Sequence, residues 1–106
     1  MIRVRYRPGE YEITATGHAG YAESGSDIVC AGTSAILNAL LGVASEMRER
    51  VVPAARMKEG EFSLRLHPQK ERDRLRARTI MDMAYIGLER IETEMGQWIS
   101  CTIEEE

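Results

Sequence analysis

Two residue types capable of nucleophilic chemistry lie twelve positions apart in GHAGYAESGSDIVCAG, residues 17–32: His18 and Cys30. An imidazole within about 3 Å of a thiol takes its proton and leaves the thiolate, the attacking form of cysteine. Cys30 follows Ser26-Asp27, good helix N-cap residues, so the spacing places it in the first turn of a helix. The unpaired amides and positive dipole end there favour an anionic sulfur and offer donors to an oxyanion. His18 follows a strand pattern and begins a loop long enough to fold back over that helix start.

Asp27 has two readings. It caps the helix by accepting amide hydrogens, or it orients His18 as a third catalytic member. A carboxylate beside the sulfur opposes the thiolate, which favours the cap. Ser34 lies one helical turn after Cys30, where it bonds the sulfur or the imidazole, or simply packs. Gly17, Gly20 and Gly25 lack the GxGxxG spacing and a following GK[ST], so a phosphate cradle is not expected. They suit the hinges of a flexible loop over residues 17–26. A purely structural reading stands beside all this, with Cys30 starting a buried helix and His18 ending a strand, and spacing alone favours it. No CxxC or HxxxH is present, so no metal site is expected. Cys101 alternates with Ile99 and Ile103 and reads as a packed thiol, while His67 shares the polar face of Ser63 and Arg65.

The elements that must position these groups follow from periodicity. Ile2, Val4 and Tyr6 alternate with arginines, and Tyr11, Ile13 and Ala15 alternate with polar residues, which predicts an N-terminal hairpin. A helix is predicted from about Asp27 to Glu49 on the spacing of Ile36, Leu37, Leu40, Leu41, Ala44 and Met47. Val51 to Met57 reads as a weak strand with Pro53 in it, and Phe62, Leu64 and Leu66 as a clear one. Ala77, Ile80, Met81, Ala84, Leu88, Ile91 and Met95 stripe a second helix over Lys70 to Met95, and Gln97 to Ile103 forms a last strand. The order ββαββαβ predicts a two-layer α+β sandwich, its mostly antiparallel sheet covered on one face by two helices.

The 106 residues suit one compact domain, residues 1–106, and 43% hydrophobic with 29% charged residues can bury a core. A net charge of −3 argues against wholesale nucleic-acid binding. Arg3, Arg5, Arg7 and Arg65 form a stripe that is either solvated or a contact for RNA or the ribosome. The opening MIRVRYRPGE has no secretory h-region, and the apolar run Ala35 to Ala44 is about half of what a membrane span needs. A cytoplasmic protein with reduced thiols and no membrane contact is expected.

Taken together, His18-Ala19, Gly25, Asp27-Ile28-Val29-Cys30-Ala31 and Ser34 resemble the signature of the ribosomal-processing cysteine proteases called Prp. The order of elements is similar over essentially the whole chain. The resemblance implies a cysteine endopeptidase without metal or organic cofactor, His18 its general base and Cys30 its nucleophile, with Asp27 and Ser34 in support. It implies a substrate, the N-terminal extension of a large-subunit ribosomal protein, the twenty-seventh of the L series. It also implies a homodimer and a mobile loop matching residues 17–26. Gly32-Thr33 departs from the bulkier, more apolar pair of the family, which bears on helix packing or a substrate subsite and leaves the dyad untouched. The rival readings are a non-catalytic, ribosome-associated binding module of the same fold and a structural metal domain.

Overall fold

Alternation of apolar and charged residues gives β1 (Ile2–Arg7) and β2 (Glu12–Thr16), joined by a short 3-10 turn at Pro8–Glu10. Further along are α1 (Ile28–Glu46), α2 (Arg48–Val51), β3 (Ala54–Lys58), β4 (Glu61–Arg65), α3 (Glu71–Met95) and β5 (Ile99–Ile103). The computed structural model describes residues 1–23 and 25–105; Ser24, within the expected loop, and Glu106, in the acidic end, lie outside the described residues.

The strands form one sheet in the order β3-β4-β2-β1-β5. Three pairings are antiparallel, and β1 with β5 is parallel, Ile2 opposite Ile99 and Val4 opposite Cys101. The expected two-layer α+β architecture is therefore present, with a mixed, mostly antiparallel sheet. Period-2 burial leaves one sheet face to the core: Val4, Tyr6, Ile13 and Leu64 pack with Leu40 of α1 and with Met81 and Leu88 of α3. Tyr6 also ties β1 to α3, its hydroxyl donating to Asp82 at 2.5 Å, and burial followed by that bond pushes the phenol well above its ordinary value.

Several boundaries differ from the periodicity reading, β5 among them, which starts at Ile99 rather than Gln97. The helix expected to reach Glu49 ends at Glu46, and the separate turn α2 follows, burying Val51 rather than offering it to a strand. The cause is local: Val52 adopts φ 40°, and Pro53 cannot extend a helix, so the next strand starts only at Ala54. β4 likewise ends at Arg65, one residue short of Leu66.

On the open sheet face Arg5 pairs with Glu104 at 2.5 Å, Arg7 with Glu10 at 2.6 Å and Lys58 with Glu61 at 3.4 Å. That pairing fits a solvated charged face. His67 is exposed, with Nδ1 3.1 Å from the Val52 carbonyl oxygen. Cys101 lies half-buried against the core, and burial, aided by Glu92 and Glu89, pushes its thiol up to about 12. It is a packed thiol, not a reactive one.

Candidate active site

The site forms where three segments meet: the end of β2, the start of α1 and the β3–β4 turn. Asp27 caps α1, its Oδ1 accepting from the Val29 and Cys30 amides at 3.0 Å each. Its Oδ2 accepts from the Tyr21 amide at 3.1 Å, drawing the incoming loop across the helix end. Of the two roles open to Asp27, the structure shows the cap. The Cys30 amide is the main influence holding this carboxyl below its ordinary range; burial opposes it, and the Tyr21 and Ala22 amides add to it.

That capping changes the expected electrostatics. The Val29 and Cys30 amides, offered by sequence reasoning to an oxyanion, are already bonded to Asp27. The donor facing the sulfur is instead the Ala19 amide, 3.4 Å from Cys30 Sγ. Sequence reasoning missed it, because a backbone N–H eleven residues away leaves no mark on periodicity.

His18 is exposed at the end of the same turn of chain. Gly17 donates its N–H to the Gly60 carbonyl at 2.8 Å, which clasps β2 to the β3–β4 turn. The His18 ring lies over Gly60, so close that a Cβ there would come within 3.0 Å of Nε2. Gly60 was also missed; its signal was the two-residue Glu59-Gly60 link between strands, which requires the left-handed backbone observed at φ 72°.

His18 and Cys30 line one cleft of about 350 Å3, with Ser34 and Asn38 along α1 and Met57 and Phe62 on the sheet side. This is the volume range of ligand-binding clefts. Among the described residues, the sulfur is bonded by Ala19 and not by the imidazole, and Ser34 bonds neither. Hydrogen bonds between catalytic groups commonly tighten only when substrate closes the site. Gly17, Gly20 and Gly25 all adopt positive φ, as turns at these places require. Gly32 lies against Ile91 of α3, and Thr33 is buried in the cleft wall, its hydroxyl without a partner among the described residues. Gly32-Thr33 thus touches both helix packing and the cleft.

Two expected results follow. Gly60→Ala should displace the imidazole and lower any His18-dependent turnover about tenfold, with a stability loss of only about 1 kcal/mol. Steady-state kinetics beside a thermal melt checks that split. The second concerns acid. Because the Asp27 carboxyl is depressed in the folded state, its contribution is complete above the ordinary carboxylate range and fades as pH falls through its folded value. Hydrogen exchange at the Val29 and Cys30 amides should therefore lose protection in acid, and Asp27→Asn should remove that pH dependence.

A thiol in the first turn of a helix and an imidazole lining the same cleft are groups suited to a cysteine peptidase. The chain belongs to the Prp family: the model of cysteine protease Prp matches residues 1–100. A structure of the essential ribosomal processing protease Prp from S. aureus with a covalently linked product peptide is similar. It is 26% identical with a TM-score of 0.83, covering 98% of this chain and 100% of that one. The same S. aureus protease with a substrate peptide is 24% identical with a TM-score of 0.77, at 98% and 100% coverage. SMU.848 from Streptococcus mutans shares the fold at 18% identity and a TM-score of 0.71, covering 99% of this chain and 93% of that one. No curated protein sequence matches the chain.

Proposed function

We propose that the chain is a single-domain, cytoplasmic endopeptidase, residues 1–106, in which Cys30 is the nucleophile and His18 the general base. Its substrate is the N-terminal extension of the large-subunit ribosomal protein that is twenty-seventh in the L series. The observation carrying this reading is the shared cleft, with Cys30 Sγ at the start of α1 facing the Ala19 amide and His18 lining the same cleft.

The chemistry follows from those positions. His18 takes the thiol proton, and Sγ attacks the scissile carbonyl carbon. The carbonyl electron pair moves onto oxygen, where the Ala19 N–H is the donor within reach. Collapse re-forms the C=O bond and breaks the C–N bond, the imidazolium protonating the departing amine. His18 then deprotonates a water that attacks the thioester; Sγ leaves and recovers its proton. Asp27 fixes the helix end that carries the sulfur, and Ser34 is a polar contact for substrate in the cleft. The mechanism uses no cofactor.

A homodimer belongs to this reading. Support comes from α1, whose mean hydropathy reaches 1.8 while only 28% of that apolar window is buried. Ala31, Ala35, Ala39, Gly42 and Val43 lie exposed along it. Light scattering of the purified protein reads the mass directly.

The test of function is to incubate the full-length ribosomal precursor with the protein and identify the new N-terminus by mass spectrometry. One cut that releases the extension supports the proposal. A precursor bound but left intact at equimolar protein would instead establish the ribosome-associated binding module.

A further inference from the structure

The segment carrying His18 and Ala19 is held at its far end by an aromatic contact outside the cleft. Tyr21 meets Trp98 edge-on, ring centroids 4.9 Å apart at 78°. Trp98 stands between α3 and β5, and its own backbone is fixed, N–H to the Met95 carbonyl and carbonyl to the Ile2 amide, each at 2.9 Å. Tyr21 is thus held twice, by its ring against Trp98 and by its amide on Asp27 Oδ2. Two residues earlier in the chain, the Ala19 amide reaches Cys30 Sγ.

We propose that Trp98 is a positioning residue for the catalytic centre, acting through Tyr21 to hold the Ala19 amide on the sulfur and His18 over the cleft. The inference rests on the protease reading, because the amide it places is the donor assigned there to the oxyanion. Trp98 is not among the residues that line the cleft. An edge-to-face aromatic pair favours one loop position strongly enough to shift its population by about threefold to tenfold.

Trp98 is the only tryptophan in the chain, so its emission reports this contact without a label. Alkylating Cys30 with iodoacetamide places a new group where the Ala19 amide now sits. Displacement of the segment should then change Trp98 emission in the wild-type protein. The change should vanish in Tyr21→Ala and in a Cys30→Ala control treated alike. In precursor cleavage, Trp98→Ala should lower kcat about threefold to tenfold with KM within about twofold. Trp98→Phe should recover most of that loss, and Tyr21→Ala with Trp98→Ala should cost no more than either alone. Unchanged emission on alkylation, or wild-type kcat in a folded Trp98→Ala protein, overturns the proposal. Failure of the wild-type protein to cleave any precursor overturns the protease reading, whereas the alkylation response tests the positioning contact by itself.

Discussion

Cys30→Ala should abolish precursor cleavage, lowering single-turnover rates by roughly a thousandfold or more while the fold stays intact. In the proposed mechanism the sulfur forms the covalent bond, and Cys101 is no replacement for it, packed against the core with its thiol pushed up to about 12. The change is also structurally mild. Cys30 is only partly buried, alanine suits a helix, and the cap uses the Cys30 backbone rather than its side chain. Far-ultraviolet circular dichroism and melting should therefore stay close to wild type. His18→Ala should cost nearly as much, and the double variant little more than either single one, because the two groups act in one proton transfer. Cleavage by Cys30→Ala at the wild-type rate would remove the nucleophile from the mechanism and the mechanism with it.

Gly17→Ala should give the largest stability loss of any glycine substitution around the site. At φ 94° a Cβ is strained in itself, and here it would be driven into the carbonyl oxygen of Met1, a backbone atom with little freedom to retreat. A loss of about 2–3 kcal/mol follows, which lowers Tm by roughly 10–20 °C for a domain of this size. The same displacement strains the Gly17 N–H bond to Gly60 and moves the adjacent imidazole, so activity should fall at temperatures where the variant is still folded. Gly20→Ala and Gly25→Ala provide the comparison. Both glycines adopt positive φ, but a Cβ would enter open space, so only the backbone strain remains. Calorimetry of the three variants separates collision from conformation, and a Gly17→Ala melt no lower than the other two would contradict the collision.

Local patterns in this sequence carry much of the architecture. The arginine alternation of β1, the capping pair before α1 and the long stripe of α3 each express a regular repeat within one element. β1, the start of α1 and α3 lie where the sequence placed them, to within a residue or two. The break after Glu46 was harder to read, because Met47 continues the apolar spacing and only Pro53, six residues on, gives the stop away. Strand order was not legible in the same way. Nothing local to Ile2 or Ile99 announces that they are parallel neighbours, since that pairing depends on which segments the two helices leave free to meet.

The candidate site divides along the same line. Side chains announce themselves by type, so His18, Cys30, Asp27 and Ser34 could be named from the sequence, and the structure brings His18, Cys30 and Ser34 to one cleft. Backbone donors have no type. The Ala19 amide, the Gly60 turn beneath the imidazole and the Tyr21–Trp98 contact all depend on how distant segments come together. The competition for the first-turn amides could be foreseen only as a conflict between two roles for Asp27, and geometry resolves it in favour of the cap.

The parallel pairing of β1 with β5 has a consequence for the life of the chain before it is finished. During synthesis β1 can find β2 almost at once, but its other neighbour begins at Ile99. Ile2, part of the cleft wall, is fixed by the Trp98 carbonyl and by its register with Ile99. Closing a contact of that sequence separation comes late and slowly compared with a hairpin. The part of the cleft wall that Ile2 supplies therefore stays unfinished until β5 has been made and has found β1.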